Sequence, residues 1–228
     1  MSVGAKARRK QRRAAVGDLL VFTFAAGKGG VGKTTLTALV ALAAARAGRK
    51  VLAADADPQG SLLSWADDAE GLGDSVTVVA LPSARLDREL VRLAEGYDVV
   101  VIDCPPGLGD RAITEAALRA ATLAVIPMGP SLADLGRLRW TMDLAAGTGT
   151  PSVVALNRAR HGTRRTSEVL EALDELEDVA RLDTVVPLAE KLGDAFGRRS
   201  APAPADELWH ELESIGKALT KKGRRARG

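Results

Sequence analysis

Cysteine is almost missing from this 228-residue chain: Cys104 is the only one. That excludes an internal disulfide framework and fits a reducing, cytoplasmic compartment. Histidine is nearly as scarce, with only His161 and His210. One thiol and two scattered imidazoles are too few for a zinc or iron–sulfur centre built from the chain alone. No apolar run reaches the roughly 18 residues that read as a membrane span. The N-terminus is basic, but the first apolar stretch after it, LLVFTFAA, reads as a strand and not as a secretory core.

What is present is an ordinary globular balance, 46% apolar and 27% charged. The length suits one sizeable core, hence one domain. The net charge of +3 is unevenly spread. Residues 1–20 carry six basic groups against Asp18, and residues 217–228 carry six with no acid, so the body between them is acidic. The two cationic ends read either as solubilising tails or as polyanion-binding segments. They divide the chain into a basic arm (1–18), a folded body (19–216) and a basic tail (217–228).

Short apolar runs alternate with helical patterns through the body. LLVFTFAA (19–26), KVLAA (50–54), SVTVVAL (75–81), YDVVVIDCPPG (97–107), TLAVIP, SVVAL (152–156) and TVVP (184–187) read as strands, the last closing the sheet. Helices are expected over 34–46, along Leu86, Leu90 and Leu93, near 111–120, over 131–145, at 169–176 and from Pro204 to Lys222. This alternation predicts an α/β domain whose mainly parallel, twisted sheet carries helices on both faces.

GKGGVGKTT (27–35) stands between the first strand and the first helix. Gly27, Gly32, Lys33 and Thr34 keep P-loop spacing, so the expected fold is that of a P-loop nucleoside triphosphatase. The glycines let backbone N–H groups turn toward phosphate, and the helix start adds positive potential. Gly27, Lys28, Gly29, Gly30, Val31, Gly32, Lys33, Thr34 and Thr35 therefore form the expected ATP cradle. Lys33 would hold the β- and γ-phosphates, Thr34 would ligate Mg²⁺, and Thr35 would reach the α-phosphate. Lys28 is surplus to that scheme. It is either a solvated charge on the outer lip or a cation reaching a phosphate bound by a second subunit, as an arginine finger does.

KGGVGKTT resembles the deviant Walker A motif of the ParA/MinD ATPases. The resemblance runs from about residue 19 to 200 and implies that Lys28 crosses the interface of an ATP-sandwich homodimer. ADADPQGS resembles the family's first switch: Asp57 would position or polarise the attacking water, and Asp55 would lie near the metal. VVVIDCPPGLG resembles the second switch, with Asp103 holding the Mg²⁺ hydration shell and Gly107 near the γ-phosphate. VVALNRAR resembles the late strand whose asparagine, here Asn157, contacts adenine, and Pro187 falls in the purine-side loop. Length, and the lack of a helix-turn-helix segment in front, resemble the smaller ParA branch.

ParA relatives bind DNA nonspecifically as ATP dimers, and a ParB-like centromere-binding partner stimulates slow hydrolysis. That implies a nucleoid-associated role in plasmid or chromosome partition. Arg158, Arg160, Arg164, Arg165, Arg198 and Arg199 are the candidate phosphate contacts, or else ordinary surface. A related protein that positions a non-DNA cargo is the alternative. A MinD-like membrane cycle is another, but Asp206, Glu207, Glu211 and Glu213 in the last helix oppose an anionic bilayer, and KKGRRARG offers nothing apolar to insert. Nitrogenase-like cousins need cysteines that are absent. Tyrosine kinases of related fold carry tyrosine-rich tails, and this chain has only Tyr97.

Overall fold

The strands are built on period-two alternation with both faces buried. In β1 (Leu20–Phe24), Leu20, Phe22 and Phe24 enter one core, whereas Val21 enters the opposite one. β2 (Val51–Asp55) and β4 (Val99–Asp103) repeat this: Val51, Ala53, Val99 and Val101 face the first core, and Leu52, Ala54, Val100 and Ile102 face the second. Strands so covered must lie inside the sheet, with helices on either side. The computed structural model describes residues 19–67, 75–107, 110–188 and 204–225. The arm at 1–18, Arg198 and Arg199 lie outside the described residues.

With β3 (Val76–Ala80), β5 (Leu123–Met128) and β6 (Ser152–Leu156), the sheet has six strands in the order β3-β2-β4-β1-β5-β6. Every pairing is parallel. One face is covered by α1 (Lys33–Arg46), α2 (Ser61–Asp67) and α7 (Pro204–Arg225). The other is covered by α3 (Leu86–Leu93), α4 (Arg111–Ala120) and α5 (Leu135–Gly147). α6 (Arg164–Asp174) closes a smaller core with α5 over β5 and β6, through Leu138, Val169 and Leu173.

α7 lies against β1 so closely that a Cβ on Gly216 would meet the Phe22 ring at 3.1 Å. Trp209 packs edge-on to the same ring, with centroids 6.1 Å apart. Glu213 pairs with Arg49, and Asp206 with Arg46, so acids of its first half face α1 and the turn after it. The helix continues to Arg225, so most of the basic segment from 217 onward is helical.

Two local expectations need correction. The segment 184–187 is no strand. Leu182 and Val186 donate to the carbonyls of Val154 and Leu156, so the incoming segment spends twice as many residues as β6 between successive bonds. The surplus loops out at 183–185, leaving isolated bridges at Arg181 and Pro187 instead of a ladder. The helix expected at 169–176 starts earlier, at Arg164, because the Thr163 side chain caps it by accepting from the Thr166 N–H. The short α2, not foreseen, is held by Asp55, whose Oδ2 accepts from the Leu63 N–H at 2.9 Å.

Candidate functional site

Parallel order places the carboxyl ends of all strands on one edge. The chain leaves β1 toward β2 and β3 on one side, then returns through β4 and crosses to β5 and β6 on the other. The ends of β4, β1 and β5 thus flank the reversal, where open α/β sheets bind ligands. The loop 27–32 rises from β1 at this point and enters α1.

Gly30 and Gly32 adopt φ of 75° and 91°, a left-handed region closed to most side chains. Gly32 is also the N-cap of α1, whose first turn is thereby open at the loop. Lys33 is buried, 7% exposed, beside the strand ends. The Thr34 hydroxyl donates to Asp103 Oδ2 at 2.6 Å. Asp103 closes β4, in register with Phe24 of β1 and Asp55 of β2. Its other oxygen, Oδ1, is buried without a hydrogen-bond partner.

An orphaned carboxylate oxygen beside a threonine hydroxyl fits a hydrated divalent cation, which would take up that lone-pair capacity. Burial pushes the Asp103 carboxyl up to about 7; the Thr34 hydroxyl and Lys33 oppose the shift, and Asp55 and Asp57 add to it. Cys104 next door is fully buried, and burial raises its thiol pKa, leaving it an inert packing residue.

Asp55 also sits at a strand end, but both its oxygens are occupied. Oδ1 accepts from the Asp57 N–H at 3.1 Å and Oδ2 from Leu63. Desolvation raises its pKa, and these backbone bonds resist the shift. Asp55 thereby fixes the loop that carries Asp57, which is half-buried and accepts from the Gln59 N–H at 2.9 Å. Gly107, at φ 75°, donates to Ala26 and brings the second switch beside the phosphate loop.

Lys28 is turned outward onto the loop after β5. Its ammonium donates to both oxygens of Asp134, at 2.9 and 3.1 Å. Asp134 ends a short 3-10 turn, Leu132–Asp134, just before α5. The first residue of the loop is tied to the same helix: the Gly27 N–H donates to the Thr141 hydroxyl, and a Cβ on Gly27 would lie 2.9 Å from the Trp140 ring. Asp134, Trp140 and Thr141 carry no motif, and sequence reasoning missed them. The usable signal was topological, since loops after neighbouring strands β1 and β5 must meet.

Asn157, at the end of β6, is buried against the loop, its amide donating to the Val31 carbonyl at 2.8 Å. Pro187 bridges to Ala159 just beyond it. The described candidate DNA-contacting arginines are all exposed, and Arg158, Arg164 and Arg165 hold different partners. Arg158 donates to the Gly30 carbonyl and Arg165 to that of Pro130, while Arg164 pairs with Glu168. Arg160 is exposed. Thr35 is half-buried in the first turn of α1. Among the described residues no helix is long and apolar enough to cross a membrane, and no cluster of His, Cys, Asp and Glu could by itself hold a metal ion.

Residues 22–202 match the model of the CobQ/CobB/MinD/ParA nucleotide binding domain. The chain is 40% identical over 154 residues to the maintenance of carboxysome distribution protein A of Gloeobacter kilaueensis, covering 67% of this chain and 68% of that protein. It is 35% identical over 132 residues to the chromosome-partitioning ATPase Soj of Thermus thermophilus, covering 44% of this chain and 51% of that one. Among solved structures, cobyrinic acid a,c-diamide synthase of Mycobacterium smegmatis with a bound ATP analogue and magnesium aligns at a TM-score of 0.65. That pair shares 26% identity, covering 86% of this chain and 96% of that chain.

Proposed function

Since the chain belongs to the CobQ/CobB/MinD/ParA family of nucleotide-binding domains, we propose that it is a Mg²⁺-dependent ATP hydrolase of the ParA type. In this reading its ATP form is a homodimer that binds DNA nonspecifically on the nucleoid and partitions a plasmid or chromosome with a ParB-like centromere-binding activator. The observation that carries the hydrolase is the Thr34–Asp103 contact beneath the loop, with Asp103 Oδ1 buried and unpartnered.

The loop glycines turn N–H groups toward the phosphates, and Lys33 neutralises the β- and γ-oxygens. Thr34 and Asp103 would hold a magnesium ion, Asp103 through its water shell, and the ion when bound would supply positive charge to the phosphoryl oxygens. Asp57 orients the attacking water, work in which position matters more than basicity. Lys28 leaves Asp134 and stabilises the charge on the partner subunit's triphosphate. The exposed Arg160 and Arg164, with the basic end of α7, supply phosphate contacts to DNA.

A second reading keeps the switch and changes the cargo: the DNA is only a track, and a protein compartment is distributed along it. The 40% identity to a carboxysome distribution protein favours it.

The test uses Asp57→Ala protein, which should bind Mg-ATP, lose turnover by a hundredfold or more on the order of a removed positioning group, and stay paired. Sedimentation with and without Mg-ATP, combined with a shift assay on unrelated duplex DNA over a salt series, reads pairing and DNA binding together. A monomer at saturating Mg-ATP with hydrolysis blocked sinks the proposal. Recovery of the cross-linked activator then separates the cargoes, because a sequence-specific DNA-binding protein means partition.

A further inference from the structure

The turn after β6 meets the phosphate loop through two carbonyls. Asn157 Nδ2 donates to the Val31 carbonyl at 2.8 Å, and Arg158 Nη1 donates to the Gly30 carbonyl at 2.6 Å. Asn157 Oδ1 in turn accepts from the Arg158 N–H at 2.9 Å, so donor and acceptor of the amide are both engaged and its orientation is fixed. Asn157 is 4% exposed and its amide is tight against the loop: a Cβ on Gly32 would stand 2.3 Å from Nδ2.

The turn itself is held under strain. Arg158 has φ 56°, the one non-glycine residue with positive φ among the described residues. Bonds on both sides keep it there: the Asn157 N–H donates to Met128 at the end of β5, and the Ala159 N–H donates to Val186. Backbone strain persists where its surroundings over-determine it, commonly at functional sites.

The geometry of the peptide bond says what the two contacts accomplish. The described chain contains no cis peptide. A trans, planar peptide directs its C=O and N–H to opposite sides. The carbonyl of Gly30 shares a peptide with the N–H of Val31, and the carbonyl of Val31 shares one with the N–H of Gly32. Pulling both carbonyls toward the β6 turn therefore aims both N–H groups away from it. Among the described residues none accepts a hydrogen bond from the N–H of Val31 or Gly32. Two aligned, unspent donors in a glycine loop form an anion-binding concavity.

We propose that Asn157 and Arg158 are positioning residues for phosphate: they clamp the Val31 and Gly30 carbonyls from behind and preset the loop's N–H groups for a polyphosphate chain. The proposal rests on the ATPase reading and adds to it at Asn157, whose amide holds the loop whether or not it also meets the base. Preset donors need no reorganisation when phosphate arrives, which is where the affinity comes from.

Calorimetry on the full chain with three ligands, Mg-ATP, Mg-GTP and Mg-tripolyphosphate, tests this. The variants are Asn157→Asp, which keeps the shape but turns a lone pair on the Val31 carbonyl, and Arg158→Gly, which removes the guanidinium and relieves the positive φ. Each should weaken ATP and tripolyphosphate in parallel, roughly tenfold, as for one hydrogen bond to a charged group. In Arg158→Gly the ATP-to-GTP ratio should hold, and Arg158→Lys should recover part of the loss. Arg158→Gly should melt no lower than the parent, so its lost affinity is not lost folding. Tripolyphosphate affinity unchanged in both variants overturns the clamp. So does loss of ATP alone with an altered ATP-to-GTP ratio in Asn157→Asp, which would make Asn157 a reader of the base. A parent protein that binds neither polyphosphate refutes the ATPase reading itself, a result the variants cannot mimic.

Discussion

Lys33 and Lys28 stand in the same glycine loop with the same side chain, yet their surroundings differ in kind. Lys33 is buried among strand ends, near Asp103 but with no ion pair to a carboxylate among the described residues. Lys28 is 42% exposed along its side chain and lies on Asp134, a carboxylate from a different element. A buried ammonium without a close counter-ion is costly unless an anion arrives, so Lys33 is poised for a ligand inside its own subunit. Lys28 is the exposed member of its pair and Asp134 the buried one, at 11% along its side chain; Arg137 stands 4.0 Å from the same carboxylate, so Asp134 keeps a cation beside it when Lys28 exchanges one anion for another. Position within the loop therefore separates holding from reaching.

Breaking each lysine in turn gives the largest effect. Lys33→Ala should weaken Mg-ATP by roughly a hundredfold or more, the scale of two charge-assisted hydrogen bonds lost from a buried site. Lys28→Ala should leave that affinity within about threefold, since a screened outer charge adds little to binding in its own subunit, but should abolish ATP-dependent pairing. Nucleotide titration and then sedimentation read both. Equal loss of nucleotide affinity in the two variants would erase the distinction.

A second contrast, between neighbouring aspartates, gives a smaller effect. Asp55 spends both oxygens on backbone N–H groups, whereas Asp103 leaves one unspent and its carboxyl is raised to about 7. A carboxyl whose folded pKa lies above its unfolded value binds a proton in the native state first. Its contribution to stability is full below about pH 4 and is lost as pH rises toward 7. Between pH 5 and 7, in chelator and without nucleotide, the parent should lose stability relative to Asp103→Asn by up to about 1.4 kcal/mol per pH unit, levelling off above. Urea midpoints across that range measure it; parallel curves would mean that Asp103 ionises normally in the folded chain.

Much of this was legible in the chain. Two-sided strands announce themselves as unbroken apolar runs, so β1, β4 and β6 fall inside the expected segments, β2 and β5 overrun theirs by one residue, Asp55 and Met128, and the glycine spacing locates the phosphate loop. Contacts between distant loops were not legible. Asp134 lies 106 residues from Lys28 and carries no motif. Its meeting with that lysine depends on β1 and β5 being neighbours, and strand order is not written in local periodicity. TVVP failed as a strand for a related reason: its composition favours β structure, but the loop-out at 183–185 breaks the ladder, and Pro187 has no N–H to extend it.

The finest cut falls on Asp134 itself. Asp134→Asn keeps the shape and a hydrogen-bond acceptor for Lys28 but removes the charge that detains it. Under the proposed exchange, each subunit gives up its internal pair before reaching across, so weakening that pair in both copies should tighten ATP-dependent dimerisation roughly three- to tenfold. Nucleotide affinity measured under monomeric conditions should not change, because Lys33, Thr34 and Asp103 are untouched. Raising the salt concentration should shrink the difference between parent and variant, since salt screens the exposed ammonium of Lys28. A variant that dimerises less well than the parent would show Asp134 to be part of the assembled interface and not a brake on it, and the outer lysine would then be positioned by its own subunit instead of released from it.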